Sequence, residues 1–112
     1  MTAGDVVIAA FPGAQITKMR PAVVLSTSAY QRHRPDVILG LITTRPPDPL
    51  CPTDCEIKNW RVAGLHVPSF FRLYLVTLGQ SQVRVVGRLA DDDWREIRQR
   101  VQIGLLGPEP EA

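Results

Sequence analysis

The chain has 112 residues, of which 45% are apolar and 21% are charged, and its 13 basic and 11 acidic side chains give a net charge of +2. This length and composition fit one globular domain and exclude a disordered chain. No apolar run of ~18 residues, basic N-terminal signal or framework of cysteines is present, which argues against a membrane span, a secretory leader and a disulfide-rich fold. We therefore expect one cytoplasmic domain over residues 1–112, with a flexible tail at about residues 107–112.

The first half of the chain predicts three β-strands separated by loops. The apolar, β-rich run at residues 5–11 predicts the first strand, and residues 12–19 predict a loop. A second apolar run predicts a strand over residues 22–26, with a proline at its start. The polar residues 27–35 predict a loop, and residues 36–43 form the longest apolar run and predict the third strand.

The second half begins with four prolines in residues 45–53, a density that predicts an irregular loop. Residues 54–57 predict a short strand and residues 63–65 a turn. Two further strands are predicted over residues 70–77 and 83–89.

A helix is predicted after these strands. Three aspartates, residues 91–93, suit the first turn of a helix, and one of them can cap it. Trp94, Ile97, Val101 and Leu105 then form one apolar stripe, and glycines end the helix. Many short strands followed by one helix predict a mainly β fold, a small β-barrel with a C-terminal helix.

Two short motifs stand beside predicted loops and are candidates for a site. Pro21 holds Arg20 extended, and a fixed arginine suits a phosphate that gains charge during a reaction. Thr43 and Thr44 end the third strand, where their hydroxyls can donate hydrogen bonds. Strand alternation predicts that only one of the two threonines shares a pocket with Arg20. A solvated arginine and two β-branched residues of good strand propensity are the structural alternative.

The sequence gives less support for a metal site. Cys51, Cys55, His33 and His66 are residues of the types that bind zinc, but they lack the two closely spaced pairs of a zinc site, so we expect no metal.

The basic side chains are 11 Arg and 2 Lys, and eight basic against five acidic residues give residues 1–72 a net charge of +3. This bias permits a basic face for nucleic acid, although codon usage also explains arginine enrichment.

Several of these motifs together resemble the MazF/PemK family of toxin–antitoxin ribonucleases. The resemblance lies in Gly4 to Val7, in the run from Lys18 to Ser26, and in Ile42-Thr43-Thr44. Residues 63–72 and 87–89 are similar to the family as well, and the match extends from about Gly4 to Leu106.

The resemblance implies an SH3-like barrel of the CcdB/PemK type and a homodimer. It also implies a sequence-selective endoribonuclease that cuts single-stranded RNA without metal or other cofactor, has no membrane partner, and is silenced by a cognate antitoxin. The family's essential arginine and threonine fall on Arg20 and Thr43, and a further functional arginine falls on Arg72. The two adjacent loop regions add RNA-binding candidates, namely Gln15, Lys18, Thr44 and Arg45.

Two departures from the family pattern concern proton transfer. Tyr74 stands where PemK-like members carry an aspartate, and the shortened loop at residues 12–17 contains no glutamate. The resemblance implies attack by the RNA 2′-OH to give a 2′,3′-cyclic phosphate, but these departures leave the proton acceptor open. Two other functions also stay open, a CcdB-like poison of DNA gyrase that performs no chemistry and an SH3-like interaction module.

Overall fold

The computed structural model describes residues 1–12 and 16–109. These residues form six β-strands, which are β1 Asp5–Pro12, β2 Thr17–Val24, β3 Asp36–Thr43, β4 Cys55–Ile57, β5 Ser69–Gly79 and β6 Arg84–Arg88. The helices are α1 Ser28–His33 and α2 Asp91–Val101, with a 3-10 turn at Gln80–Gln82 before β6 and a π-helical turn at Gln102–Leu106 after α2. Of the expected tail, residues 110–112 lie outside the described residues.

The six strands form one antiparallel sheet in the order β4-β5-β3-β2-β1-β6. Strands β4 and β6 are its two edges, and α2 follows the last strand. The predicted mainly β fold with a C-terminal helix is therefore confirmed. None of the helices in the described parts of the chain combines the length and hydropathy needed to cross a bilayer.

Both faces of the central strands are buried, because apolar side chains occupy consecutive positions and strand neighbours point to opposite faces. One face carries Val6, Val23, Ile42 and Phe71 into a core that includes Ile97 of α2. The other face forms a second core from Val7, Ala9, Phe11, Ala22, Val24, Val37, Leu39 and Leu41. This burial on both faces explains why β1, β3 and the last three residues of β2 are apolar runs in the sequence.

Strand β2 differs from its predicted position. It begins at Thr17, so Lys18 lies on a strand and not in a loop, and it ends at Val24. Pro21 lies within the strand and pairs with Ile8 of β1, whereas pairing with β3 begins one residue later. The missing N–H of Pro21 is tolerated because β2 has no β3 ladder on that side at this point.

The predicted loop at residues 27–35 contains a helix, so that prediction is wrong for α1. The Thr27 hydroxyl accepts a hydrogen bond from the Tyr30 N–H and caps the helix. The Ser26 hydroxyl donates to Gln31 and accepts from the Ile38 N–H, which ties the helix to β3. No residue of α1 is buried, so the helix has no apolar stripe that a sequence pattern can reveal.

Helix α2 follows its prediction except at its two ends. Ile97 is buried, whereas Leu105 is 54% exposed because it lies in the π-helical turn beyond the packed face. Ala90 is at the cap position and offers no capping side chain, but the Asp92 carboxylate accepts a hydrogen bond from the Asp93 N–H at 3.0 Å in the first turn. The buried Asp93 carboxylate instead accepts hydrogen bonds from the N–H groups of Lys58 and Asn59, at 3.0 and 2.8 Å. This contact fixes the segment after β4 against the helix.

Candidate functional site

Arg20 and Thr43 lie just beyond the point where the pairing between β2 and β3 ends. The last residue pair of this ladder is Ala22 with Leu41. If the register is continued by two residues, Arg20 falls opposite Thr43, on the same face of the sheet as Ala22 and Leu41. Both residues line one groove at this end of the sheet.

A groove of about 920 Å³, which we call the main groove, opens at this end of the sheet. Phe11, Leu41 and Tyr74 form apolar parts of its lining. Six of the seven predicted site residues line it: Lys18, Arg20, Thr43, Thr44, Arg45 and Arg72. The seventh, Gln15, lies outside the described residues.

Both threonines line the main groove with Arg20, so the prediction that only one of them shares a pocket with Arg20 is wrong. Strand alternation stops at Thr43, the last residue of β3, and no longer governs Thr44. The Thr43 hydroxyl oxygen accepts a hydrogen bond from the Arg45 N–H at 3.2 Å. Its own proton therefore remains available to donate to a ligand oxygen.

Arg72 reaches the main groove from β5, where it pairs with Leu41 of β3. Its guanidinium carbon lies 5.5 Å from the centroid of the Tyr74 ring, within the range of a cation–π contact. The Tyr74 ring is 40% exposed and lies 6.2 Å from that of Phe11. An exposed aromatic ring beside a guanidinium gives the groove a flat surface on which a planar group can stack.

The main groove is a concentration of positive charge. Residues 1–12 and 16–109 form two ion pairs, Arg88 with Asp5 and Arg100 with Glu96, and both lie away from the groove. The groove has four cationic side chains, and none of them has a carboxylate partner within this part of the chain. They are Lys18, Arg20, Arg45 and Arg72. Arginine guanidinium groups match phosphate oxygens with two parallel hydrogen bonds, so the groove suits a phosphate-bearing ligand.

A second cavity of about 430 Å³, which we call the side cavity, shares the wall formed by Arg20, Thr43 and Thr44. It lies toward β6 and the segment between β4 and β5, from which Arg84 and His66 line it. Arg20 and the two threonines therefore border both spaces. Sequence reasoning did not place His66 or Arg84 at the site, because only long-range packing brings these segments to β2.

The cysteine and histidine residues considered as zinc ligands do not assemble. Within the described part of the chain, no three His, Cys, Asp or Glu side chains are placed to hold one metal ion. His33 lies on α1 and His66 lies between β4 and β5. Burial raises the pKa of the Cys55 thiol to about 11, which keeps it protonated at neutral pH and unsuited to act as a nucleophile.

The six-stranded antiparallel sheet, the C-terminal helix and the cationic groove together define a small, mainly β protein. The sequence pattern of the PemK-like, MazF-like toxins of type II toxin–antitoxin systems matches residues 2–105, and the chain belongs to this family. Comparison with curated proteins finds no match.

Solved structures share the fold over nearly the whole chain. An endoribonuclease in complex with its cognate antitoxin from a mycobacterial species superposes with a TM-score of 0.79 at 20% identity, covering 98% of this chain and 99% of that one. MazF from Deinococcus radiodurans gives a TM-score of 0.71 at 24% identity, covering 96% and 97%. The MazE–MazF complex from the same organism gives 0.68 at 25% identity, also covering 96% and 97%.

Proposed function

We propose that the protein is an endoribonuclease toxin that cuts single-stranded RNA at selected sequences. The observation that carries this proposal is the placement of Arg20 opposite Thr43 in a groove whose cations have no carboxylate partner among the described residues. Family membership and the fold shared with solved endoribonucleases support the same activity. The RNA supplies its own nucleophile, the 2′-OH, and the products are a 2′,3′-cyclic phosphate and a free 5′-OH.

In this reaction the protein orients the RNA and stabilises charge on the phosphorane. The guanidinium of Arg20 binds the non-bridging oxygens, and an arginine stays charged throughout the reaction. The Thr43 hydroxyl donates a hydrogen bond to the same phosphate while the Arg45 N–H holds its oxygen in place. Because these groups neutralise the phosphate directly, the proposed reaction uses no metal ion.

Neighbouring groups hold the RNA on either side of the cut. Lys18, Arg45 and Arg72 line the main groove and contact flanking phosphates. The exposed ring of Tyr74 stacks on a base, which requires an unpaired and therefore single-stranded RNA. Thr44 and the loop residues around Gln15 contribute to selectivity for the RNA sequence.

The proposed partners follow from the family and from charge. Type II toxins are paired with antitoxins, and the mycobacterial and Deinococcus neighbours include toxin–antitoxin complexes. We propose that a cognate antitoxin lays an acidic, partly disordered segment over the basic groove, and that the toxin acts in the cytoplasm as a homodimer. The net charge of +3 on residues 1–72 favours such a partner.

The test is cleavage of a single-stranded RNA by the purified protein in the presence of EDTA. We expect fragments that end in a 2′,3′-cyclic phosphate, and strongly reduced cleavage by Arg20→Ala and by Thr43→Ala. Arg32→Ala, which removes an exposed arginine on α1, is the matched control and retains activity. Full activity of both site variants contradicts the proposal, and binding to DNA gyrase without any RNA cleavage favours the gyrase-poison alternative.

A further inference from the structure

His66 lines the side cavity together with Arg20 and Thr43, although it comes from the segment between β4 and β5. Its side chain is exposed and can reach a ligand in that cavity. The other histidine of the chain, His33, lies on α1 and lines neither the main groove nor the side cavity. Imidazole is the side chain that takes up and releases protons most readily near neutral pH.

Other proton acceptors are scarce at this site. Among the described residues that line the main groove and the side cavity there is no aspartate or glutamate. The lysine and arginines found there are protonated at neutral pH and cannot accept a proton. His66 is thus the one side chain of these two linings that is suited to accept a proton at neutral pH.

The backbone around His66 is fixed by close packing. Gly64 has a φ of +85°, and a Cβ added there would lie 2.7 Å from the carbonyl oxygen of Val86 on β6, so the turn requires glycine. Leu65 is buried, and its N–H donates to the Trp60 carbonyl at 3.0 Å. On the other side of His66, the Ser69 hydroxyl donates to the Val67 carbonyl at 2.8 Å. These contacts fix the backbone on both sides of His66, at the wall of the side cavity that Arg20 also lines.

Two cationic side chains from other strands line the side cavity together with His66. They are Arg20 from β2 and Arg84 from β6, and no carboxylate of the described residues lines this cavity. The neutral ring retains a nitrogen lone pair, which is the form that a general base requires.

We propose that His66 is the general base for RNA cleavage, an assignment that rests on the proposed endoribonuclease function. A ring nitrogen of His66 takes the proton of the 2′-OH while the 2′-oxygen forms its bond to phosphorus. The bond from phosphorus to the 5′-oxygen breaks, and the 5′-oxygen takes a proton from water. The imidazolium then returns its proton to the resulting hydroxide, so protons and charge balance over the cycle.

Two aspartates near Thr43 compete for this role but are already engaged. Asp48 and Asp54 line a smaller cavity that includes Thr43 and Arg72 but not Arg20. One oxygen of Asp54 accepts a hydrogen bond from the Leu73 N–H at 2.9 Å, and one oxygen of Asp48 accepts from the Leu50 N–H, also at 2.9 Å. The Asp48 carboxylate thus supports its own loop and that of Asp54 ties its segment to β5, which makes Asp48→Asn a control for the loss of a nearby acid.

The experiment measures single-turnover cleavage of one RNA between pH 5 and pH 8 for the wild type, His66→Gln, His33→Gln and Asp48→Asn. We expect a wild-type rate that falls with decreasing pH as the imidazole becomes protonated. His66→Gln is expected to be about 10²–10⁴-fold slower and to lose this acidic limb, while keeping the same cut sites and product ends. Added imidazole restores part of the rate to His66→Gln but not to Arg20→Ala. The two control variants keep the wild-type profile.

Two further measurements separate proton acceptance from other roles. An RNA with a 2′-deoxy nucleotide at the cut site cannot react, and we expect His66→Gln to bind it as tightly as the wild type does. An RNA with a 5′-sulfur leaving group needs no general acid, so it should not rescue His66→Gln.

Three results overturn the assignment to His66: a rate loss explained by weaker RNA binding, full rescue by the sulfur leaving group, or an unchanged acidic limb in His66→Gln. If the wild type itself fails to cut RNA, the endoribonuclease proposal fails and the assignment to His66 falls with it.

Discussion

Arg20 of β2 and Thr43 of β3 lie two residue positions beyond the last pair of the β2–β3 ladder, and both border the main groove and the side cavity. A phosphate bound to these two side chains as proposed would border both spaces, which offers room for the two oxygens of an in-line displacement at phosphorus. The attacking and leaving oxygens lie on opposite sides of the phosphorus in such a reaction. The predictions for Arg20 and Thr43 rest on this shared position beside the two cavities.

Arg20→Ala should lower the rate of RNA cleavage by on the order of 10²–10³-fold, the usual cost of one donor to a developing oxyanion. Arg20→Lys keeps the positive charge but lacks the planar fork, so it should recover only part of this loss. Single-turnover cleavage with saturating protein measures the effect on the chemical step. A fully active lysine variant would show that charge alone suffices and that paired hydrogen bonds to the phosphate are unnecessary.

Thr43→Val should also slow cleavage, because valine has nearly the same shape but no hydroxyl to donate. Thr43→Ser keeps the hydroxyl and should retain most of the activity. Both variants should bind a 2′-deoxy RNA nearly as well as the wild type, since the hydrogen bond from Thr43 strengthens as charge develops on the phosphate. Equal cleavage rates for the valine and serine variants would remove the hydroxyl from the mechanism.

Lys18→Ala should weaken RNA binding without changing the cut site, because Lys18 lines the main groove and is proposed to contact a flanking phosphate. The slope of log K against log salt should become less steep by about 0.7 for the loss of one contact to single-stranded RNA. Fluorescence titration of an uncleavable RNA at several salt concentrations measures this slope. Lys58→Ala is the matched control, because Lys58 is an exposed lysine outside the main groove and the side cavity. An equal change of the salt slope in Lys58→Ala would show that Lys18 makes no specific contact with the RNA.

Strands β1 and β3 were predictable because their residues are apolar on both faces. The bounds of β3 match the prediction, Asp36–Thr43, and the other strands differ by a few residues at their ends. Helix α1 was not predictable from an apolar stripe, since none of its residues is buried and its capping residue Thr27 is its main local signal. A helix that buries no face, as α1 does, leaves no apolar period in the sequence.

The site was predictable only in part, because packing between distant segments brings its residues together. Arg20 and Thr43 stand out beside loops, but their placement opposite each other depends on the register between β2 and β3. His66 lies far from Arg20 in the sequence and reaches the side cavity because Gly64 packs against β6. Such contacts depend on the complete fold, which no short sequence pattern encodes.

Asp93→Ala should lower the free energy of unfolding by about 2 kcal/mol, because it leaves the N–H groups of Lys58 and Asn59 without their acceptor. The Asp93 side chain is 3% exposed, so water cannot easily replace the carboxylate. Asp91→Ala removes an exposed aspartate from the same helical turn and should change stability far less. Urea unfolding followed by circular dichroism compares the two variants, and similar midpoints would refute the role given to Asp93.

Cys55 should make stability depend on pH in the alkaline range. Burial raises the pKa of its thiol to about 11, above the usual value of ~8.5 in an unfolded chain. Because the fold favours the neutral thiol, this contribution is complete below about pH 8.5 and is lost as the pH rises toward 11. Urea unfolding of the wild type and Cys55→Ala from pH 7 to pH 10 isolates the effect, since all other ionisations are common to both. The stability difference between them should shrink above pH 8.5, and parallel pH curves would show that Cys55 ionises as easily in the folded protein as in the unfolded chain.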